Sequence, residues 1–275
     1  MPLQNLRIVA VDLDGTLLPN RGRISRRDVD TLRMLGNRGI VRVLATGRSF
    51  YSTLQNIPRT FPIDYLVFST GVGVMDWRSG EVIYSAKISS ARVKVLIDEL
   101  TKHKLDFMLH SPAPNTHHFY YRGTDEPISD FHERKKHYPD FCQPLPKELY
   151  PESCQALAFM PHDLERYERI AATLEGFKVV RTTSPINGKN LWMEVFERNV
   201  SKGDALELLA QRLGVKRENV MAVGNDYNDL DMLHYASSSY VVANAPEVLK
   251  ALFKNVPDVA SSGFSDAVAD FLANG

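Results

Sequence analysis

Five short apolar runs, rich in β-branched residues, constrain the fold of this chain more than any other sequence feature. They are IVAV (8–11), VRVLA (41–45), YLVF (65–68), VMAV (220–223) and YVVA (240–243). Near-continuous apolar runs of this length are typical of strands that are buried on both faces of a sheet. Helical patterns that start at a capping serine and stop at a glycine lie between them, at 25–39 and 201–214. This alternation predicts an α/β fold, a Rossmann-like doubly wound parallel sheet with helices on both faces.

The segment from about residue 85 to residue 188 breaks the alternation. It begins with a helix whose apolar residues lie on one face, and it continues with the strand-like runs FMLH, HHFYY, QALAFM and KVVR around a second helix. Strands and helices in this irregular order predict an α+β insert. We therefore expect residues 1–84 and 189–275 to form one domain, and residues 85–188 to form a second domain inserted into it.

Composition and charge argue against several classes of partner. The 275 residues carry 33 basic and 33 acidic side chains, so the formal net charge is zero and no overall field favours nucleic acid or an anionic membrane. No apolar run reaches the roughly 18 residues that a membrane-spanning helix needs. Two cysteines in a chain this long, Cys142 and Cys154, favour a reducing compartment over a disulfide scaffold. We expect a cytoplasmic protein that binds neither nucleic acid nor membrane, and the sequence does not indicate its oligomeric state.

The first apolar run continues directly into DLDGT (12–16). Side chains two apart in a strand point to the same side, so Asp12 and Asp14 are expected to face one site. Two neighbouring carboxylates ionise together only at high cost, unless a cation lies between them or one keeps its proton. With Mg²⁺, Asp12 can attack phosphorus while Asp14 protonates the leaving oxygen and then deprotonates water. A plain turn, eased by Gly15 and capped by Thr16, is the alternative, but ligand binding at strand ends in this architecture favours a site.

Three further polar segments follow apolar runs or open helices. Thr46-Gly47-Arg48, at a strand end where we expect a helix to open, offers a hydroxyl and a flexible backbone amide, which suit a phosphate oxygen. Lys202 can neutralise a bound phosphate and hold the carboxylate of a nucleophile, although a solvated surface lysine is the alternative. The loop GNDYND (224–229) is rich in oxygen ligands that suit Mg²⁺, although an Asx-rich turn is the alternative. Together these segments predict a phosphate site and a metal site at one edge of the sheet.

In their order and spacing, these segments resemble the four motifs of the haloacid dehalogenase superfamily of aspartyl-phosphate phosphatases. The resemblance covers almost the whole chain. The insert is similar to the cap of the Cof-type, class IIB, sugar-phosphatase branch, and so are MEVFERNVSKGDAL (193–206) and VVANAPEVLKALF (241–253). The resemblance implies that residues 1–84 and 189–275 are a catalytic core and that residues 85–188 are a cap that determines substrate specificity.

The resemblance also implies roles for individual residues. Asp12 is the residue that becomes phosphorylated, and Asp14 is the acid and base. The residues expected to bind the phosphoryl group are Thr46, Gly47, Lys202 and Asn228. The residues expected to hold Mg²⁺ are Asp12, Asp14 through its backbone carbonyl, Asn225 and Asp229. On the cap, Arg181 and Asn187 are the candidates for contact with the substrate because their cationic and amide groups suit a polyol or a second anion.

Two positions depart from the family pattern. Asn225 stands where the fourth motif usually has an aspartate, so one metal ligand has lost its charge, although Asp226 or Asp229 could restore it. Thr70 lies in Ser69-Thr70-Gly71, where the branch often has Asn-Gly, and we assign it no role. Metal affinity is therefore expected to be weaker than is usual for the family.

The sequence favours a Mg²⁺-dependent phosphatase that acts on a small phosphorylated metabolite, and a sugar phosphate is the expected substrate. One alternative is a phosphoryl transferase similar to phosphomannomutase, in which a sugar hydroxyl outcompetes water for the phosphoaspartate. A second alternative is a phosphosugar-binding or sensing module that hydrolyses poorly because of Asn225. Asp12 and Asp14 argue against the sensing module, since binding alone needs neither a nucleophile nor an acid and base. The sequence does not identify the substrate or its pathway.

Overall fold

The computed structural model describes residues 7–184 and 186–274, so positions 1–6, 185 and 275 of the predicted domain ranges lie outside the described residues. The strands are β1 (Ile8–Asp12), β2 (Val41–Ala45), β3 (Tyr65–Phe68), β4 (Gly73–Asp76), β5 (Val82–Ser85), β6 (Asp106–His110), β7 (Phe119–Arg122), β8 (Cys142–Pro144), β9 (Gln155–Met160), β10 (Phe177–Thr183), β11 (Leu191–Glu197), β12 (Val220–Gly224), β13 (Ser238–Val242) and β14 (Lys254–Val256). The helices of at least one α-turn are α1 (Arg26–Asn37), α2 (Phe50–Leu54), α3 (Ser90–Lys102), α4 (Ser129–His137), α5 (Leu164–Thr173), α6 (Lys202–Arg212), α7 (Leu230–Tyr235), α8 (Glu247–Leu252) and α9 (Gly263–Asn274). They divide between two compact units.

The first unit contains an eight-stranded sheet in the order β14-β13-β12-β1-β2-β3-β4-β5. From β14 to β3 all neighbouring strands are parallel, and β4 pairs antiparallel with β3. The chain passes from β1 through β2 to β3 on one side, and the later strands extend from β12 on the other side. The strand order therefore reverses between β1 and β12, which is where a doubly wound sheet binds its ligand. The predicted fold class is confirmed.

Local sequence explains where two helices of this unit, α1 and α6, begin. Ser25 precedes α1 and its side chain accepts a hydrogen bond from Asp28 N, and Ser201 does the same for α6 with Asp204 N. Each serine satisfies a backbone N–H that the first helical turn leaves without a partner. Every residue of β1 is buried, as expected for a central strand with helices on both faces.

The second unit contains a six-stranded sheet in the order β10-β11-β9-β6-β7-β8. Its neighbouring strands are antiparallel except for β7 and β8. Buried residues of α3 and α5 form one apolar core with this sheet, and Phe131 of α4 belongs to a second core with Phe159 and Trp192. The unit therefore has an α+β architecture.

The boundary of the second unit differs from the expected one at residue 188. The unit begins at Ser85 but continues to Val200, and it also includes Ser49–Ser52. The reason is β11, which pairs with β10 from Phe177↔Glu197 to Thr183↔Leu191 and so belongs to the second sheet. Its sequence LWMEVFE is apolar at five of seven positions and would fit either sheet, so only the pairing with β9 and β10 decides between them.

Two other properties of the chain follow from the structure. Within the described residues, no helix has both the length and the apolar character that crossing a bilayer requires. Cys142 and Cys154 are both free thiols, and Cys154 is buried.

Candidate active site

The end of β1 carries the first two predicted site residues. Asp12 is the last residue of the strand and is 4% exposed, whereas the side chain of Asp14 is 46% exposed. Leu13 between them is fully buried, as the alternation of side chains requires. Gly15 then turns the chain with φ +82°, a conformation that favours glycine, and its N–H donates to Leu18 O at 2.8 Å. The turn holds the two carboxylates at the carboxyl end of the sheet.

Lys202 lies between two buried carboxylates. Its Nζ donates to Asp12 Oδ1 at 2.6 Å and to Asp229 Oδ1 at 2.7 Å, and its side chain is fully buried. The alternative of a solvated surface lysine is therefore wrong. When both carboxylates are ionised, this group of three carries an excess of negative charge, because one ammonium serves two carboxylates.

The pKa values of this group reflect both burial and charge. Burial first, and the charge of Asp229 second, raise the pKa of Asp12 to about 7, although Lys202 acts in the opposite direction. Burial by itself lowers the pKa of Lys202, but the carboxylates of Asp12 and Asp229 outweigh it and raise that pKa above its ordinary value. The ammonium of Lys202 is therefore a permanent positive charge beside the candidate nucleophile.

The residues predicted to bind phosphate converge beside Lys202. Thr46 follows β2 and is fully buried, and its Oγ1 accepts a hydrogen bond from Arg48 N at 3.1 Å. A methyl group on Gly47 would lie 3.6 Å from Asn228 Nδ2, and Lys202 Nζ donates to Asn228 Oδ1 at 3.5 Å. Contrary to the sequence expectation, Thr46 and Gly47 do not open a helix, since α2 begins at Phe50.

Arg48 is a contact that the sequence reasoning missed. Its Nε donates to Asp14 Oδ2 at 2.8 Å and its Nη2 donates to Asp14 Oδ1 at 2.7 Å, which makes a bidentate ion pair. The sequence contained a signal for this contact. Neighbouring parallel strands end at the same edge of a sheet, so an arginine in the loop after β2 is expected near a carboxylate in the loop after β1. The pair fixes the orientation of the Asp14 carboxylate.

The segment Ser69-Thr70-Gly71 adds a strained turn to the site. All three residues have positive φ, at 48°, 59° and 101°. Thr70 is buried and its N–H donates to Thr46 O at 3.1 Å. A methyl group on Gly47 would lie 3.6 Å from Thr70 Oγ1, so this hydroxyl borders the same space as Asn228. Positive φ is a true outlier for a β-branched residue, and such strain clusters at functional sites.

The oxygens that could hold a metal come from two segments, the turn after β1 and the loop after β12. Thr16 Oγ1 donates to Asp12 Oδ2 at 3.0 Å and lies 3.1 Å from the inward atom of the Asn225 carboxamide. The same carboxamide atom lies 3.0 Å from the backbone O of Asp14 and 3.1 Å from Asp12 Oδ2. Among the described residues no three His, Cys, Asp or Glu side chains form a metal-binding group, so a site here needs the Asp14 carbonyl and the Asn225 amide.

Asp229 and Asp226 do not join these oxygens. Asp229 Oδ2 accepts from the backbone N–H groups of Asn225 at 2.9 Å and Asp226 at 3.1 Å, while its Oδ1 accepts from Lys202. This differs from the expectation that Asp229 is a metal ligand, because both of its oxygens are engaged elsewhere. Asp226 is exposed and accepts from Tyr227 N at 2.7 Å, so it caps its own turn and does not replace the lost charge.

The two cap residues have different surroundings from each other. Arg181 is exposed on β10, with its guanidinium 6.0 Å from the ring of Tyr167. Asn187 Nδ2 donates to Asp130 Oδ1 at 2.5 Å, and Asn187 Oδ1 accepts from two backbone N–H groups of its own loop. The side chain of Asn187 therefore holds the β10–β11 loop together, which differs from the expectation that it contacts substrate.

The chain combines a parallel sheet whose strand order reverses at β1, a buried aspartate paired with lysine, and an α+β insert. These features together define a class of hydrolases, and the chain matches a family in that class. Residues 9–272 match the model of the haloacid dehalogenase-like hydrolases, so the chain belongs to this family. This match confirms the resemblance to the superfamily that was found in the sequence. The prediction of a hydrolase of this superfamily is also confirmed.

The chain is similar to known proteins over nearly its whole length. The phosphoglycolate phosphatase of Methanobrevibacter smithii is 24% identical over 268 residues, which cover 98% of this chain and 97% of that protein. BT1666 from Bacteroides thetaiotaomicron, studied among phosphatases of the superfamily, is 21% identical with a TM-score of 0.81, covering 98% of this chain and 97% of its own. BT4131, described as a subclass IIB sugar phosphatase, is 20% identical with a TM-score of 0.75, covering 96% and 98%. The two structures show that the fold is shared.

Proposed function

We propose that this protein is a Mg²⁺-dependent phosphatase that hydrolyses a small phosphorylated metabolite, a sugar phosphate, through a phosphorylated Asp12. The observation that carries the proposal is the buried Asp12 carboxylate, with one oxygen bound to Lys202 at 2.6 Å at the point where the strand order reverses. A carboxylate held by a fixed ammonium is oriented for attack, and the ammonium also neutralises an incoming phosphate.

The residues around Asp12 supply donors for the phosphoryl oxygens. Thr46 Oγ1 accepts from Arg48 N, so its own O–H remains a donor for an anion. Asn228 and the backbone of Gly47 lie beside it. Donors placed where negative charge develops stabilise the transition state of phosphoryl transfer. We assign Thr46, Gly47, Lys202 and Asn228 to the phosphoryl group on this basis.

Asp14 is the proposed acid and base. It protonates the leaving oxygen when Asp12 attacks, and it then takes a proton from the water that hydrolyses the phosphorylated Asp12. Arg48 orients its carboxylate through two hydrogen bonds. The exposed side chain of Asp14 can reach a leaving group, and the contact with Arg48 must loosen as the carboxyl turns toward that group.

The chemistry of the donor set supports Mg²⁺. Adjacent ligands of an octahedral Mg²⁺ at 2.0–2.1 Å lie about 2.9 Å apart. The inward carboxamide atom of Asn225 is 3.0 Å from Asp14 O and 3.1 Å from Asp12 Oδ2, so when this atom is the amide oxygen, each of the other two oxygens lies at the spacing of an adjacent ligand from it. A bound Mg²⁺ would offset the negative charge near Asp12 and polarise the phosphoryl group.

The proposal of a sugar phosphate as substrate has separate support. BT4131, which shares the fold, is described as a sugar phosphatase. We propose that the second unit determines specificity and that the exposed Arg181 contributes to it.

The thiols of Cys142 and Cys154 support a reducing, cytoplasmic compartment. The neutral Asn225 favours one other candidate, a phosphosugar-sensing module with weak hydrolysis.

The test is phosphate release from a panel of sugar phosphates, nucleotides and phosphoglycolate, with Mg²⁺ or with chelator. We expect Mg²⁺-dependent release that is abolished in Asp12→Asn and is unchanged in Asp30→Asn, which makes the same substitution on the exposed face of α1. We also expect acid-quenched wild-type protein to carry a phosphoryl group on Asp12. Release that survives Asp12→Asn would refute the mechanism, and tight binding of phosphosugars without release would favour the sensing module.

A further inference from the structure

The half-buried side chain of Asn225 lies between groups that constrain its orientation. Its inward carboxamide atom meets the backbone O of Asp14, Asp12 Oδ2 and Thr16 Oγ1 within 3.0–3.1 Å. The outward atom lies against Gly15, where an added Cβ would come within 2.4 Å of it. The carboxamide thus fits between the metal-facing oxygens and the glycine turn, and a rotation of 180° exchanges its nitrogen and oxygen without changing its shape.

The two orientations suit opposite states of the site. With nitrogen inward, the NH₂ group donates to Asp14 O at 3.0 Å and to Asp12 Oδ2 at 3.1 Å. With oxygen inward, the carboxamide oxygen faces Asp14 O and Asp12 Oδ2 with no hydrogen between them. Only the Thr16 hydroxyl can donate to this oxygen, at 3.1 Å. That hydroxyl is shared, since it also lies 3.0 Å from Asp12 Oδ2. Oxygen inward is therefore unfavourable until a cation joins the oxygens.

We propose that Asn225 is an internal substitute for the metal, whose NH₂ group bridges Asp12 and the Asp14 carbonyl in the metal-free protein and rotates to present its oxygen when Mg²⁺ binds. The proposal rests on the proposed function for the identity of the metal alone. An aspartate at this position has no N–H, so it could not bridge these oxygens and would add a negative charge to the existing excess around Lys202. The neutral amide therefore keeps the metal-free site ordered, and it makes Mg²⁺ compete with internal hydrogen bonds.

The first experiment follows the side-chain NH₂ group of wild-type Asn225 by NMR, without substrate. Its resonance is assigned by its loss in Asn225→Asp. In chelator we expect exchange with solvent on the order of tenfold slower than for an exposed amide, because one of its two hydrogen bonds is to a carboxylate. The exposed Asn255, whose Nδ2 donates to Lys250 O, is the internal reference. On addition of Mg²⁺ the protection should be lost and the resonance should shift.

The second experiment measures Mg²⁺ binding by calorimetry and melting temperature in Asn225→Asp, Asn225→Ala and the matched control Asn255→Asp. Asn225→Asp should bind Mg²⁺ at least about tenfold more tightly, because a carboxylate replaces a neutral ligand. In chelator both variants of Asn225 should melt below wild type, and Mg²⁺ should restore only Asn225→Asp. The control should match wild type in both measurements.

Two results would overturn the proposal. One is an Asn225 NH₂ group that exchanges in chelator as fast as that of Asn255. The other is an Asn225→Asp protein that is as stable as wild type in chelator and binds Mg²⁺ no more tightly. Neither experiment uses turnover, so a protected amide in a protein that releases no phosphate would support this inference while refuting the proposed function. Phosphate release with an unprotected amide would do the reverse.

Discussion

Replacing the candidate nucleophile should make the protein more stable at neutral pH. The pKa of Asp12 is raised from 3.8 to about 7, first by burial and then by Asp229. A group whose pKa is higher in the folded than in the unfolded state contributes its full stability below the unfolded value and loses it as pH rises through the folded value. Asp12→Asn removes this titration and leaves Lys202 with one carboxylate, Asp229.

The size of the effect follows from the pKa values. Because the pKa rises from 3.8 to about 7, ionised Asp12 lowers the free energy of unfolding above pH 7 by ~4 kcal/mol compared with its value at a pH below 3.8. We therefore expect Asp12→Asn to be more stable than wild type at pH 8. The advantage should shrink by ~3 kcal/mol between pH 8 and pH 5, because most of the titration lies in that interval.

The assay is urea unfolding in chelator at pH 5 and pH 8. Trp77 lies in the first unit, is buried and donates from Nε1 to Phe61 O, so its fluorescence reports unfolding of the unit that contains Asp12. Trp192 lies in the second unit, and Trp192→Phe in all samples removes its signal. Asp30→Asn is the control for an exposed carboxylate. Equal pH dependence in wild type and Asp12→Asn, or a less stable Asp12→Asn at pH 8, would refute the reasoning.

Three further substitutions test the geometry of the site. Arg48→Gln should lower kcat on the order of tenfold, because Asp14 loses its orientation, while the free energy of unfolding changes by less than about 1 kcal/mol, because the ion pair is partly exposed. Steady-state kinetics and urea unfolding measure the two effects, and an unchanged kcat would contradict the prediction. Gly15→Ala should lower the free energy of unfolding by about 1–3 kcal/mol and weaken Mg²⁺ binding measured by calorimetry, since φ is +82° and the new Cβ would lie 2.4 Å from Asn225. A variant with wild-type stability and wild-type Mg²⁺ affinity would contradict this prediction. Thr70→Gly should raise the free energy of unfolding by about 1 kcal/mol, because it relieves the backbone strain at φ 59°, and it should lower turnover, because it removes a hydroxyl beside Gly47. A loss of stability would show that the turn is unstrained.

Much of the site could be predicted because the chemistry lies at strand ends. The alternation of side chains in a strand correctly placed Asp12 on one side and Leu13 in the core. Ser25 was predicted as a cap and Ser201 as the start of a helix, and both are caps because each side chain accepts a bond from the backbone N–H three positions further along the chain. Lys202 was predicted beside the nucleophile, but only its complete burial excluded a surface lysine.

Other contacts could not be predicted because they join distant parts of the chain. Arg48 and Asp14 belong to separate loops, and both were singled out in the sequence without being paired. Asp229 was expected at the metal because its oxygen chemistry allows it, whereas the fold brings Lys202 and two backbone N–H groups to its oxygens. A carboxylate has the same local propensities in either role, so the sequence gives no basis for choosing.

The sequence by itself determined the α/β class, the strand ends that carry polar residues, and the neutral amide of Asn225. These features depend on the period of apolar residues and on residue identity, which are local properties. Only the tertiary structure decided that β11 belongs to the second sheet, and that Asn225 meets Thr16, 209 positions earlier in the chain. Such contacts form because strands pair side by side across the sheet, and the energy that selects those pairings comes from packing the whole core, which no local segment encodes.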